Sequence, residues 1–275
     1  MSADLSPQSY LAFSQFLQKQ LGIVLGDNRQ YLVRSRLTAI ARDCQYADIN
    51  TFIQDVVSLK NKAISDRCLE LMTTNETFWF RDGYPFSLLS NAILPSLFQQ
   101  QKRLRIWSSA CASGQEPYSI AMTICDFQSK HPGAFSERVE IVATDYSQKM
   151  IAHAKEGIYD ELALSRGLAE SQKKIYFTNS STKQMSVDNK LKSMVSFKRF
   201  NLLDNYLALG KFDIIFCRNV LIYFNGNEKV NILNKIAACL NPGGSLFLGA
   251  AESIGGAEHL FKVRTGHEGL YYTRL

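Results

Sequence analysis

The chain has 275 residues, of which 46% are hydrophobic and 20% are charged, a composition typical of a globular protein with one large domain or two smaller ones. No apolar run is long enough to span a membrane, and residues 1–4 lack the basic region and apolar core of a signal peptide, so we predict a cytoplasmic protein without membrane insertion. The net charge of +6 is too small to require a nucleic-acid partner, and an acidic protein surface would suit it equally well.

Residues 1 to about 80 show helical periodicity and few strand-like runs. Apolar residues recur at helical spacing from Tyr10 to Leu21, and a second helix is predicted to begin near Asp27, which is a suitable N-cap. Two further helices are predicted over 51–59 and 64–72. The pattern indicates a small helical bundle.

From Leu104 onward, strand and helix signals alternate, which predicts a parallel sheet covered by helices on both faces. The predicted helices cover 116–127, 147–155 and 228–240. The predicted strands cover 104–107, 139–143, 195–200, 212–216, 245–248 and 269–272. Residues 178–194 interrupt this alternation, and their turn-rich sequence is consistent with either a small inserted hairpin or a solvent-exposed loop.

Two features lie where nucleotide-binding sheets hold their ligands. Residues 110–116 follow the first strand, and their small side chains would let the backbone approach a ligand, although a tight structural turn is nearly as consistent with a single glycine. Asp145 ends the second strand, where an acidic residue can accept hydrogen bonds from ribose hydroxyls. The alternative is that Asp145 caps the next helix.

Cysteine and histidine spacing argues against a metal site. No two of the six cysteines lie within four residues of each other, so we expect reduced, buried thiols. Metal-ligand spacing is equally lacking among the four histidines, His131, His153, His259 and His267. We therefore expect neither a structural nor a catalytic metal ion.

Five segments match, in order and spacing, the motifs of one known family. They are TTNETFWFR at 73–81, IWSSACASGQEPYS at 106–119, ATD at 143–145, NLLD at 201–204 and FCRNVLIYF at 216–224. Together they resemble the CheR family of chemotaxis-receptor methyltransferases, and the similarity covers essentially the whole chain. Gln115 replaces the first glutamate of the family's GEEPYS motif and Cys111 replaces a frequent alanine, but the second acid, Glu116, is kept.

The resemblance implies an α/β fold of the class I methyltransferase type, with a Rossmann-like sheet and a small all-α N-terminal domain. It implies a helical receptor-recognition domain at 1–72, a linker at 73–90 that contributes to the cofactor site, and a methyltransferase domain at 91–275. A small β-subdomain is implied at about 176–197. The protein is expected to be a monomer.

The resemblance also implies S-adenosylmethionine as the cofactor, S-adenosylhomocysteine as its product, and no metal. Asp145 is expected to bind the ribose, Glu116 the ammonium, and Arg81 the carboxylate. The other residues implied in cofactor binding are Asn75 and Thr77 beside Arg81, Asn201 and Leu202 at the adenine, and Arg218 and Asn219 at the methionine side. Because Asp145 lies at a strand end, Asp145→Ala is expected to abolish cofactor binding and to leave the fold intact.

The reaction implied is esterification of receptor glutamate side chains, which makes the protein a protein-glutamate O-methyltransferase. A glutamate carboxylate has a pKa near ~4.3, so it is already the nucleophile and no general base is needed. Tyr223 is the residue expected to orient it through its hydroxyl, although a packed core tyrosine is the alternative reading.

The partner implied is the glutamate-rich cytoplasmic helix region of methyl-accepting receptors. Arg29, Arg34 and Arg36 lie in a stretch, 28–42, without an acidic residue, so we predict that this helix recognises the receptor, unless it is only a solvated face. Charge reversal at Arg36 is expected to raise KM for the receptor. Some family members also bind a peptide at the receptor's C-terminus through their β-subdomain. Because 177–197 contains no glycine and looks short, we predict no such tether.

The sequence argues against two other functions and leaves a third open. Adenine-N6 and cytosine-C5 nucleic-acid methyltransferases carry Pro-Pro-aromatic or Pro-Cys motifs, and neither follows the predicted strand at 212–216. A non-catalytic binding module need not keep the acidic and arginine positions. A methyltransferase acting on another protein or a small molecule remains the alternative, although a small-molecule substrate would leave the helical domain unexplained.

Overall fold

The computed structural model describes residues 4–100, 103–266 and 269–275, which form two compact units. The first unit contains the described residues up to Thr74, together with Asn201–Leu203 and Tyr223–Lys229. The second contains Asn75–Phe200, Asp204–Ile222 and Val230–Leu275. No helix within the described ranges is both long and apolar enough to cross a membrane.

The first unit is a four-helix arrangement of α1 (Pro7–Leu21), α2 (Gln30–Asp43), α3 (Ile49–Val57) and α4 (Lys62–Met72). Polar side chains cap three of the helices, since Ser6, Asp48 and Asn61 accept hydrogen bonds from the backbone N–H three residues later. Apolar side chains one helical turn apart meet in the centre, where Phe13 and Leu17 are fully buried.

The predicted start of α2 is wrong by a few residues. Asp27 lies in a turn that is closed by a hydrogen bond from Arg29 N–H to Gly26 O, and the helix begins only at Gln30. Arg29 is the N-cap and makes no side-chain capping bond. Asp27 therefore lies before the N-cap position and does not cap the helix.

The second unit is built on a seven-stranded sheet with the order β6-β2-β1-β7-β8-β10-β9. Its strands are β1 (Arg103–Ser109), β2 (Arg138–Asp145), β6 (Val195–Arg199), β7 (Phe212–Cys217), β8 (Leu240–Leu248), β9 (Phe261–Gly266) and β10 (Gly269–Arg274). Five strands are parallel as predicted, whereas β10 pairs antiparallel with both β8 and β9. The two central strands are buried on both faces, which explains their continuous apolar runs.

The other α-helices among the described residues lie wholly or partly in the second unit. They are α5 (Tyr84–Leu88) and α6 (Leu94–Phe98), joined by a π-helical turn at Leu89–Ile93, then α7 (Gln115–Lys130), α8 (Gln148–Glu156), α9 (Glu161–Ser165), α10 (Glu170–Tyr176), α11 (Asn189–Met194) and α12 (Gly226–Cys239). The order of strands and helices is that of a class I methyltransferase, and the predicted fold class is confirmed.

Residues 178–194, for which the sequence allowed either a hairpin or a loop, contain a hairpin. Strands β4 (Phe177–Ser181) and β5 (Gln184–Val187) pair antiparallel, and β3 (Ile158–Asp160) pairs with β5 to complete a small sheet of order β3-β5-β4. Trp79 packs edge-on against Tyr159 of β3 and Phe177 of β4 and is fully buried. The predicted β-subdomain is therefore present, and it is larger than the predicted insertion because β3 belongs to its sheet.

Candidate active site

The strained backbone of the chain is concentrated at the carboxyl ends of three neighbouring strands and in the segment before the sheet. Ser109, Thr144 and Cys217 lie side by side in the register of β1, β2 and β7, so the loops that follow these strands meet at one edge. Among the described residues, eight non-glycine residues have a positive φ angle. Five of them lie in these loops or in the segment at 80–82, namely Phe80, Asp82, Ala110, Ala112 and Asn219. Strain of this kind accumulates where a ligand site requires it.

Asp145 holds two of these loops together. Its side chain is buried, Oδ2 accepts a hydrogen bond from Ala112 N at 2.9 Å, and Oδ1 accepts one from Ser147 N at 2.8 Å. The N-cap of α8 is Ser147, whose Oγ accepts from Met150 N, so the capping role considered for Asp145 falls to another residue. Asp145 is thus a buried carboxylate at the end of β2, where the ribose contact was predicted.

Arg218 is a buried cation between two carboxylates. Its Nη1 donates to Glu116 Oε2 at 2.8 Å, its Nη2 donates to Asp82 Oδ2 at 2.7 Å, and its side chain is only 1% exposed. Ser108 Oγ donates to the other oxygen of Glu116 at 2.7 Å. A buried charge needs such partners, and the same partners fix the orientation of Glu116.

The segment 75–81 contributes the predicted residues Asn75, Thr77 and Arg81, all half-buried. Phe80 N donates to Ser119 Oγ of α7 at 3.1 Å, which anchors the segment beside the loop after β1. Arg81 donates to Glu76 O, and its guanidinium lies 5.5 Å from the centroid of the Phe78 ring.

Two buried polar atoms of this site have no hydrogen-bond partner within the described residues: Arg218 Nε and Asn219 Oδ1. One is a donor and the other an acceptor, and buried polar atoms normally have partners. With the carboxylates of Asp145 and Glu116 they match a ligand that carries a carboxylate, an ammonium and hydroxyls. The residues present therefore fit S-adenosylmethionine.

Three predicted site residues belong to the first unit. Asn201 is held at both ends of its amide, since Nδ2 donates to Gln20 O at 2.8 Å and Oδ1 accepts from Leu203 N at 3.0 Å, and Leu202 is buried. Tyr223 ends a short 3-10 turn and is half-buried; its carbonyl accepts from Val24 N, and its hydroxyl makes no hydrogen bond to any described residue. The predicted role of this hydroxyl in orienting a substrate stays a prediction.

The predicted receptor-binding arginines differ in their surroundings. Arg29 is exposed, and Arg34 forms an exposed ion pair with Asp4. Arg36 is half-buried and donates to Leu71 O and Thr73 O, the carbonyls at the end of α4. Arg36 therefore stabilises the first unit itself, which the sequence did not indicate.

Within the described residues, no three of the His, Cys, Asp and Glu side chains are grouped so that they could hold a metal ion, and His267 lies outside those residues. Cys111 is buried in the loop after β1, and burial raises the pKa of its thiol well above the usual value, with a further rise from the charges of Asp145 and Glu116. A neutral thiol of this kind is not a nucleophile.

Sequence reasoning missed Asp82 and Ser108. Ser108 lies inside a recognised motif, and a serine directly after the buried apolar residues of β1 was the signal that could have found it. Asp82 has no such signal, because its partner Arg218 is 136 residues away in the chain.

Known proteins resemble this chain over most of its length. Residues 75–270 match the family described as "CheR methyltransferase, SAM binding domain". A chemotaxis protein methyltransferase of Vibrio anguillarum is 46% identical over 268 residues, covering 98% of this chain and 97% of the relative. The chemotaxis protein methyltransferase Cher2 of Pseudomonas putida is 43% identical over 262 residues, covering 94% of this chain and 95% of the relative. A solved TehB-like SAM-dependent methyltransferase of Corynebacterium glutamicum gives a TM-score of 0.40 at 11% identity, covering 77% of this chain and 95% of that one, a likeness too weak to support a conclusion. The match to the family and the identity to relatives of the same length lead to one conclusion: this chain belongs to the CheR methyltransferase family.

Proposed function

We propose that the protein transfers the methyl group of S-adenosylmethionine to glutamate side chains of methyl-accepting chemotaxis receptors, as a monomer in the cytoplasm. The observation that carries the proposal is the similarity to chemotaxis protein methyltransferases over 98% of the chain, which includes the helical unit as well as the sheet. A fold alone would support only methyl transfer to some acceptor.

The chain's own residues would hold the cofactor by its polar ends. Asp145, already aligned by two backbone N–H groups, would accept the ribose hydroxyls. Glu116 would accept hydrogen bonds from the ammonium group of the cofactor, and Arg218 Nε would donate to its carboxylate. Each charge-assisted contact contributes roughly 1.5–3 kcal/mol when it is shielded from water.

The acceptor needs orientation more than activation. S-adenosylmethionine supplies an electrophilic methyl group on a sulfonium and leaves as S-adenosylhomocysteine. A glutamate side chain has a pKa near ~4.3, so its carboxylate is ionised at neutral pH and no residue has to remove a proton. The free hydroxyl of Tyr223 would donate to one carboxylate oxygen and direct the other toward the methyl group.

The test is transfer of labelled methyl from S-adenosylmethionine to the cytoplasmic fragment of a receptor, followed by mild alkali. We expect the label on the receptor and its release as methanol, because esters of glutamate hydrolyse in base. A receptor fragment with its methylation-region glutamates replaced by alanine is the matched control and should stay unlabelled. Label that resists alkali, or that appears only on small molecules, would reject the proposal.

A further inference from the structure

One carboxylate outside the recognised motifs gathers the backbone of two loops. Glu252 follows β8, and its Oε2 accepts hydrogen bonds from Gly249 N at 2.6 Å and Asn219 N at 2.7 Å. Its Oε1 accepts from Val220 N at 2.8 Å and Ile222 N at 3.3 Å. The side chain is half-buried, and both of its oxygens are occupied by backbone donors.

The loop that Glu252 holds is strained and tightly packed. Asn219 adopts a left-handed conformation with φ of 58°, which costs free energy in a non-glycine residue. A Cβ atom on Gly249 would lie 2.8 Å from both Asn219 N and Asn219 Nδ2, so only glycine permits this approach of the end of β8. The loop therefore keeps its shape because Glu252 offsets the strain.

This loop carries two groups that the reaction would use. Asn219 Oδ1 is buried without a partner among the described residues, and Ile222 is directly followed in the chain by Tyr223. Fixing the N–H groups of 219, 220 and 222 fixes the direction in which the Asn219 side chain leaves the backbone and the point from which the chain continues to Tyr223. A displacement of about 1 Å in a reacting group can reduce a rate about 100-fold.

We propose that Glu252 is a positioning residue for methyl transfer, which sets the loop 219–222 and through it Asn219 and Tyr223. The proposal rests on the proposed function. Glu252 does not contact the substrate in this proposal, because both of its oxygens accept hydrogen bonds from backbone N–H groups. Its effect should fall on kcat, while the cofactor is held mainly by other side chains.

The variant Glu252→Gln tests the proposal. It keeps the shape of the side chain but replaces one oxygen, which accepts from two backbone N–H groups, by an NH2 group that can only donate. We expect kcat for receptor methylation to fall at least tenfold and the Kd for S-adenosylhomocysteine to rise less than threefold. Glu252→Asp keeps the charge but is one methylene shorter, so it should recover part of kcat.

The matched control is Asp213→Asn in β7. Asp213 accepts hydrogen bonds from Arg105 N at 2.8 Å and from Asn241 Nδ2 at 2.9 Å. It lies at the start of β7, whereas the loop that Glu252 holds follows the end of β7. A merely structural role for Glu252 would lower the thermal stability of both variants and leave kcat of both near wild type at a temperature where both are folded. A kcat of Glu252→Gln within twofold of wild type, or an equal loss in Asp213→Asn, would overturn the proposal.

Two further measurements keep the proposal testable if Glu252→Gln does not fold or if the receptor is not the substrate. Gly249→Ala would place a Cβ atom 2.7 Å from Glu252 Oε2 and 2.8 Å from Asn219 N, so it keeps the charge of Glu252 but forces the carboxylate and the Asn219 loop apart. It should also reduce kcat at least tenfold. Hydrogen exchange of the amides of 219, 220 and 222 does not depend on any substrate. We expect Glu252→Asp to accelerate the exchange of these amides at least tenfold and Asp213→Asn to leave it unchanged. Unchanged exchange in both variants would refute the proposal that Glu252 sets this loop. Failure of the proposed function would instead leave wild-type protein unable to label a receptor.

Discussion

Asp145 carries two hydrogen bonds that serve the protein before any ligand is bound. It is buried at the end of β2, and its oxygens accept from the backbone N–H groups of Ala112 and Ser147. Asp145→Ala is expected from the sequence to leave the fold intact because Asp145 ends a strand, but this strand end is buried, so that reason does not apply. Stranding two buried donors costs about 1–3 kcal/mol for each.

The sharper variant is Asp145→Asn, which keeps the size of the side chain and one acceptor oxygen. We expect S-adenosylhomocysteine affinity to fall about tenfold to 100-fold, since a charged acceptor contributes roughly 1.5–3 kcal/mol. Isothermal titration gives the affinity, and thermal unfolding of the same samples checks the fold. Asp145→Ala should lose more thermal stability than Asp145→Asn; an unchanged affinity in Asp145→Asn would remove this residue from the cofactor site.

Tyr223 gives a second prediction at this scale. Its hydroxyl makes no hydrogen bond to a described residue, so Tyr223→Phe removes a donor without stranding a partner inside the protein. We expect kcat for receptor methylation to fall about tenfold or more, with thermal stability and S-adenosylhomocysteine affinity unchanged. Steady-state kinetics at saturating cofactor measure the effect. A full kcat in the phenylalanine variant would assign Tyr223 to packing alone.

At the scale of elements, strong periodicity was enough to predict the long helices and the central strands within a few residues. Sequence patterns did not predict two of the strands. Strand β3 has only three residues, and in β9 charged residues interrupt the apolar ones because all but its first residue are exposed. The motif segments identified the predicted site residues. They could not reveal Asp82 or Glu252, because Asp82 pairs with Arg218 and Glu252 with the distant loop at Asn219. No local pattern distinguishes these two residues from ordinary surface acids.

The helix α2 supplies a prediction about receptor recognition. Arg36 binds the carbonyls of Leu71 and Thr73, so Arg36→Glu should lower the stability of the helical unit, and it is a poor test of receptor binding. Arg29 is exposed, and Arg29→Glu should raise KM for the receptor at least threefold at low salt, with the effect shrinking as salt screens the charge. Lys19→Glu, an equal charge change at an exposed site of α1, is the control. Equal effects of the two variants would show that only net charge matters.

The hairpin supplies a prediction about tethering. Ser181 pairs with Gln184, so only Thr182 and Lys183 connect the two strands, and the last four residues of β4 are exposed and polar. A peptide that adds as a strand needs side-chain pockets beside the edge, and this strand has little apolar surface to form them. We expect no micromolar binding of a receptor C-terminal peptide with two aromatics separated by acids. Calorimetric titration of that peptide decides the question, with a scrambled peptide as the control.

At the scale of the whole molecule, the chain does not divide at one point. The first compact unit ends at Thr74 but takes in Asn201–Leu203 and Tyr223–Lys229 from the later chain. Sequence periodicity could not predict this return, because those residues lie inside the alternation of strands and helices. The predicted receptor-recognition role of residues 1–72 stays a prediction.

The burial of Trp79 and Trp107 has a spectroscopic consequence. They are the only tryptophans of the chain, both are fully buried, and both belong to the second unit. Intrinsic fluorescence should therefore be blue-shifted in the native protein and should report the unfolding of that unit alone, while circular dichroism follows the helices of both. S-adenosylhomocysteine at 100 times its Kd should add about 2.7 kcal/mol to the unfolding free energy and move the fluorescence transition to higher urea. A transition that ignores the ligand would mean that the buried indoles and the cofactor belong to different folding units.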